Sequence, residues 1–421
     1  MGRANLHLSV LACTTVLVVV AAVLLNTLVD PLSLVNTPTF RGWSESKTMA
    51  GRDGGRRFKA AQLARVEPDI LILGTSRVEV GIPSNHPGYE GRAVYNAGLS
   101  GTNMVEIERV FEYALSVRQP REVLLGLDFL AFGGRRDLVG DFPDSAFAMP
   151  QSRVIAKYLF SSNTFLQSLR TIYDNRRNLP PVYDRNGGDP HFERLSAPDY
   201  RRMFISVLRD QFLIDPQTYG GFRFSEDRLQ ALRRIARNCA ERGITLRLFI
   251  TPVHARQLEA LRAIGLFGEF ERWKRYLADS LSEISRKYPR ARLSLWDFSG
   301  YSEFTTETVP TAEQSSSPVR WHWESSHFKA ALGTLVLDRL FALPVAESLP
   351  KDFGVDIRPE RVESWLMDTR WARTAYAQSH REEVSDVERL AACTSKIWSA
   401  LCTDCTRDPG VLSKIFVPCA E

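Results

Sequence analysis

The chain has 421 residues, with 54 Lys and Arg against 49 Asp and Glu for a formal net charge of +5, 44% hydrophobic residues, 26 Gly and 22 Pro. These values exclude a disordered or collagenous polymer and a small disulfide-framed scaffold, and charges that nearly cancel argue against a nucleic-acid binder. At roughly 150 residues per domain, the length fits two or three domains, or one large α/β domain with insertions.

The first element in chain order is an uncharged apolar run from Leu8 to Val29, long enough to cross a bilayer core as a helix. Arg3 and the α-amino group precede it, Asp30 follows, and no basic residue appears until Arg41. The positive-inside bias therefore leaves residues 1–7 as a cytoplasmic tip and puts everything after Asp30 outside the cytoplasm, periplasmic or extracellular. A cleaved signal peptide ending near Val20-Ala21-Ala22 is the competing reading. The apolar run continues through Leu24, Leu25, Leu28 and Val29, beyond a normal signal core, which favours an uncleaved single-pass anchor with the lipid bilayer as partner through 8–29.

Residues 30–60 hold Pro31, Pro38, several glycines and the basic stretch Arg52 to Lys59, and read as a tether. From 61 to 345 the periodicity is α/β. Asp69 to Leu73, Glu122 to Leu127, Ile244 to Ile250 and Ala291 to Trp296 are short apolar runs of the kind that form buried parallel strands. Helical patterns lie between them at about Met104 to Val117, Ser225 to Arg242, Ala255 to Lys287 and Phe328 to Phe341. Alternation of this kind predicts a mostly parallel sheet with helices on both faces. It fails at about 132–221, where Gly133-Gly134, Pro180-Pro181 and Asn186 to Pro190 mark a large insertion placed to act as lid or substrate wall. Residues 346–421 form a polar tail ending in Cys393, Cys402, Cys405 and Cys419. Outside the cytosol four thiols most simply make two disulfides, with three connectivities open; a four-thiolate zinc site is the alternative, supported by only one Cys-x-x-Cys pair, Cys402 and Cys405.

Three motifs carry chemistry. Gly74-Thr75-Ser76-Arg77 puts a hydroxyl just past the first strand, as a nucleophile or as a simple helix cap. Glu324-Ser-Ser-His327 precedes the last helix, where a carboxylate can fix an imidazole that takes a proton from a serine, or Ser326 can merely cap. Asn96-Ala-Gly-Leu-Ser-Gly101-Thr-Asn103 exposes backbone N–H groups between a short strand and a helix, suited to an oxyanion or to an ordinary turn. Ile250-Thr-Pro-Val-His254 sets a further histidine at the end of a strand, at the expected crevice rim.

In this order the three blocks resemble the SGNH/GDSL hydrolase superfamily, over about 66–130 and 226–345. The resemblance implies a three-layer α/β sandwich with Ser76 as nucleophile, His327 as base and Glu324 as its orienting acid. It further implies an oxyanion hole from Ser76, Gly101 and Asn103, with Arg77, Asp128 and His254 as substrate-binding candidates. Two departures stand out: Glu replaces Asp at 324, and Leu125-Gly-Leu-Asp128 replaces the family's Gly-x-Asn, so a carboxylate that cannot donate stands in the amide slot.

The anchor followed by Val29-Asp-Pro31 and then Gly-Thr-Ser-Arg77 resembles the membrane-anchored SGNH-like proteins of exopolysaccharide O-acetylation. That likeness implies a polysaccharide or other glycan as substrate and a multi-spanning membrane acyltransferase as partner. Transfer and hydrolysis share an acyl-serine intermediate and remain alternatives, as does an inactive glycan-binding or assembly protein on the same fold. The insertion's Phe147, Tyr158, Phe160, Phe165, Tyr173 and Tyr183 offer rings to stack on sugars or to form the lid's own core. No cofactor is expected, and no metal, since His254, His322 and His327 share no helical ligand spacing.

Overall fold

The structure is a computed structural model that describes residues 3–134, 140–189, 199–215, 218–219, 222–314, 317 and 319–401. Six strands, β1 Ile70–Leu73, β2 Val94–Asn96, β3 Glu122–Leu127, β4 Thr245–Ile250, β5 Leu293–Asp297 and β6 Val355–Asp356, form one sheet in the order β2-β1-β3-β4-β5-β6. All pairings are parallel except that of β6 with β5. The sheet is therefore α/β and mostly parallel, as the alternation predicts.

Strand side chains alternate between faces. Leu71, Leu73, Val123, Leu125, Leu246 and Leu248 join one apolar layer with the helices Met104–Val117, Glu226–Arg242 and Phe267–Lys287. Ile70, Ile72, Leu124 and Phe249 join the other, built on Val336 and Leu337 of the helix Ala330–Leu340. The chain leaves β1 for β2 on one side and returns to β3 on the other. This reversal opens a crevice between the carboxyl ends of β1 and β3, the place where open α/β sheets bind ligands. Ser76 and Asp128 follow those two strands.

Several boundaries differ from the sequence reading. The helix expected over Ala255 to Lys287 is two helices, Ala255–Ala263 and Phe267–Lys287, broken at Gly265, whose φ of 76° ends the first. The presumed tether contains the helix Gly55–Val66, which buries Phe58, Ala60, Ala61 and Leu63 in the body. The described part of the tail supplies β6 and the helices Pro359–Ser379 and Arg381–Leu401, and belongs to the body too. Trp365 Nε1 donates to Asp297 Oδ2 at 2.8 Å, and Arg256 pairs with Asp386 at 2.7 Å. Cys402, Cys405 and Cys419, and with them the expected pairing or zinc site, lie outside the described residues. The insertion also divides in two: Met203, Val207, Gln211 and Phe212 wall the crevice, whereas the helices Gln151–Leu159 and Ser162–Arg176 turn away to the N-terminal helix.

That N-terminal helix, Arg3–Val29, is long and apolar enough to span a membrane over Asn5–Val29. Its exit is fixed by Asp30, which is fully buried with φ 44°. The Asp30 carboxylate accepts the backbone N–H groups of Leu34, Val35 and Asn36 at 2.8, 3.0 and 2.8 Å and the Tyr158 hydroxyl at 3.0 Å. Tyr158 in turn accepts from Leu32 N–H at 3.0 Å, and Lys47 Nζ donates to the Val29 carbonyl at 2.9 Å. Burial pushes the Lys47 ammonium down to about 8, against the partial support of Asp30. The apolar helix is thus joined to the body through buried hydrogen bonds on both sides of its end.

Asp30→Ala strands four donors at about 1–3 kcal/mol for each buried group that finds no new partner. We expect a loss of about 2–4 kcal/mol, read as a lowered Tm of the detergent-solubilised protein; an unchanged Tm would mean that the joint does not hold the apolar helix.

Candidate active site

Ser76 is the first residue of the short helix Ser76–Gly81, which follows β1 after a cap by Thr75, whose Oγ accepts from Arg77 N–H at 3.3 Å. The helix Ala330–Leu340 lies directly against it: at Gly333 any Cβ would overlap the Gly81 carbonyl, so only glycine permits the approach. This crossing carries the loop 321–329 over Ser76. Residues 251 positions apart thereby meet, with His327 Nε2 2.8 Å from Ser76 Oγ.

His327 Nδ1 is hydrogen-bonded to Glu324 Oε1. The Glu324 carboxylate is 1% exposed, and it also accepts the backbone N–H groups of Ser326 at 2.7 Å and His327 at 2.9 Å. The extra methylene of Glu over Asp lets the carboxylate curl back onto its own loop while still reaching the imidazole. A carboxylate at Nδ1 holds the ring proton there and leaves the Nε2 lone pair facing the serine hydroxyl.

The loop itself is pinned from several sides. Trp323 N–H donates to His327 O at 2.9 Å, and His254 N–H to Ser325 O at 3.1 Å. The Glu307 carboxylate accepts from Arg320 N–H at 2.9 Å, from Trp321 N–H at 3.0 Å and from His322 Nδ1 at 2.8 Å. Glu307 was not singled out by the sequence reading because nothing local marks a loop carboxylate that serves residues 13 to 15 positions on.

Behind Ser76, Asp128 accepts from Thr75 Oγ, from Thr251 Oγ and, at 2.6 Å, from Arg77 Nη1. Arg77 also donates from Nε at 3.1 Å and Nη2 at 3.0 Å to Ser326 Oγ. One buried cluster therefore ties together the carboxyl ends of β1, β3 and β4 and the loop that bears Glu324 and His327. Arg77 and Asp128 neutralise each other, and Thr75, Thr251 and Ser326 are members that the motifs did not reveal.

Gly101 lies on the crevice with φ 69°, in the left-handed region that favours glycine. Two other candidates are placed differently. Asn103 Oδ1 accepts from Val105 and Glu106 N–H at 3.0 and 3.1 Å and so caps the helix Met104–Val117. His254 is not at a rim: it is fully buried, caps the helix Ala255–Ala263 through Nδ1 at 3.2 Å from Arg256 N–H, and places Nε2 2.7 Å from the Glu307 carbonyl. Burial, then the adjacent His322, hold its pKa well below the ordinary histidine value.

The crevice encloses about 500 Å³, lined by Ser76, Gly101, Glu324 and His327 on the sheet side and by Tyr183, Met203, Val207 and Phe212 on the insertion side. Of the insertion aromatics named above, Tyr183 reaches it. Phe147 and Tyr158 are buried in the core, and Phe160 and Tyr173 are exposed. Among the described residues no cluster of His, Cys, Asp and Glu is arranged to hold a metal ion. No protein-family model, curated protein or solved structure matches the chain.

Because folded His254 resists protonation, the unfolded chain binds one more proton as pH falls below about 6.5. Its contribution to stability is constant above that pH and falls below it. His254→Asn retains a side-chain cap without a titrating ring, so its Tm should fall less steeply between pH 6.5 and 5 than that of the parent; identical slopes would contradict a buried neutral His254.

Proposed function

We propose that the chain is a membrane-anchored, extracytoplasmic serine acyltransferase or esterase of SGNH type, acting on acyl groups, most simply acetyl, of a cell-surface or exported polysaccharide. The observation that carries this reading is the relay Ser76 Oγ to His327 Nε2, with Glu324 on Nδ1, at a crevice large enough for a sugar ring. Ser76 Oγ attacks the acyl carbonyl as His327 takes its proton, and the backbone N–H groups of Ser76 and Gly101 stabilise the oxyanion. As the tetrahedral species collapses, the bond to the donor oxygen breaks and His327 returns the proton to the leaving alcohol. A sugar hydroxyl or water, deprotonated by His327, then releases the acyl group from Ser76.

With a donor supplied through a multi-spanning acyltransferase, transfer to glycan is the net reaction; with water as acceptor, it is ester hydrolysis. The anchor sets the N-terminus in the cytoplasm and the body outside, in line with Arg3 before the span and Asp30 after it. One observation favours a second reading, an inactive glycan-binding descendant: Asp128 stands where an amide donor is expected. Its neutralisation by Arg77 and the two threonine hydroxyls removes much of the repulsion that an oxyanion would meet there.

Purified full-length protein in detergent should turn over a chromogenic acetyl ester, and Ser76→Ala should lower the rate at least about 10³-fold. In spheroplasts stripped of any outer membrane, an added protease should cut the body while leaving the anchor. Absence of both turnover and an acyl adduct on Ser76 in the parent protein favours the binding reading, and a body protected from protease in spheroplasts reverses the orientation.

A further inference from the structure

The helix Ser162–Arg176 is folded inside out. Its buried face is polar: Thr164, Gln167, Ser168, Thr171, Asp174 and Asn175 are all at most 6% exposed. Its outer face is apolar, with Leu166 63%, Leu169 45% and Tyr173 49% exposed, and Phe160, just before it, is 71% exposed. In water this arrangement is the reverse of what hydrophobic burial selects.

Ser168, Asp174 and Asn175 of this face have partners outside the helix. Ser168 Oγ donates to Asn26 Oδ1 at 3.1 Å, Thr48 Oγ to Asp174 Oδ2 at 3.0 Å, and Ser46 N–H to Asn175 Oδ1 at 2.8 Å. Asn26 Nδ2 also donates to the Leu159 carbonyl at 2.9 Å. The helix is therefore held against the last turns of the N-terminal apolar helix. At 1.5 Å per residue, Asn26 lies about 5 Å inside the Val29 end of the span. A helix bonded to Asn26 sits at headgroup depth, within the 5–10 Å over which interfacial helices embed their apolar faces. Arg170, Arg176 and Arg177 are exposed on or beside the same face, placed to meet lipid phosphates while their stems stay in the apolar zone.

We propose that Phe160, Leu166, Leu169 and Tyr173 form a second membrane contact, an interfacial helix embedded in the leaflet from which the body emerges, with bilayer lipid as its occupant. The bilayer then lies at the crevice end of the sheet, since Leu32 packs against Gly54 and Gly51 lines the crevice. The body lies on the membrane with its active site toward the surface, where membrane-bound donors and nascent polymers are found. This proposal rests on the anchor being embedded in a bilayer and is independent of the acyl chemistry.

The test uses the full-length protein in vesicles of phosphatidylcholine and phosphatidylglycerol, with photoreactive p-benzoylphenylalanine in place of Leu166, or in separate variants Leu169, Leu17 or Glu241. Leu17 reports the span, and exposed Glu241, next to the amino end of β4, reports the opposite end of the body. After irradiation, mass spectrometry should find lipid adducts at 17, 166 and 169 and none at 241. Adducts at 17 without any at 166 or 169 overturn the proposal while leaving the anchor intact. A covalent protein dimer through 166 in place of a lipid adduct assigns the face to a second copy and also overturns it. No adduct at 17 overturns the anchor itself, and this contact with it.

Discussion

The buried ion pair of Arg77 and Asp128 is the interaction on which the site depends. Both groups lie at the switch point of the sheet, and a charge left there without its partner would cost about 3–5 kcal/mol. The pair is retained because each partner is further satisfied: Asp128 by the hydroxyls of Thr75 and Thr251, Arg77 by Ser326. Those four contacts come from the ends of β1, β3 and β4 and from the loop that bears Glu324 and His327. Ser76, next to Arg77, inherits its position from the same network. A carboxylate at 128 thus has a structural purpose that an amide would serve less well, since an amide carries no charge to hold the guanidinium.

A second rigid element surrounds the first. Lys59, from the segment that follows the anchor, is fully buried 2.9 Å from Glu79 of the nucleophile helix, and Ser100 Oγ donates to Glu79 at 2.6 Å. Asp30, with its hydrogen bonds to residues 34–36, braces one end of the segment that follows the apolar helix, and Lys59 with Glu79 braces the other end against the wall of the crevice. Contacts at both ends limit how the crevice can tilt relative to the apolar helix, which a flexible tether would leave free. The opposite wall includes the π-helical turn Val207–Leu213 of the insertion, a geometry that costs hydrogen-bond quality and is commonly kept where a side chain must be aimed into a site.

The parts of this architecture that the sequence made legible share a physical origin. β1 and β3 are apolar runs because both faces are covered, and the helix Met104–Val117 shows its amphipathic period with a cap at Asn103. Glu324 and His327 were legible because a three-residue spacing lets a loop carboxylate reach its own imidazole, whereas Ser76, 251 positions away, was legible only from its block just past β1. His254 misled because it offers a polar atom just before a helix, and capping and ligand binding use the same atoms. The segment 30–60 and the tail were misjudged because their helices make long-range polar pairs, buried Lys59 with Glu79 and half-buried Asp386 with Arg256, that no local pattern announces. The inverted helix Ser162–Arg176 shows ordinary amphipathicity in sequence; only the structure tells which face is outside.

The account stands on His327 activating Ser76. A fluorophosphonate probe measures this directly, because it phosphonylates only a serine whose proton is removed and whose attack is stabilised. The account predicts a single adduct on Ser76 of the full-length protein, formed at least about 10²-fold more slowly in His327→Ala while circular dichroism stays unchanged. Labelling that is absent, that falls on another serine, or that proceeds equally fast without His327 would contradict it.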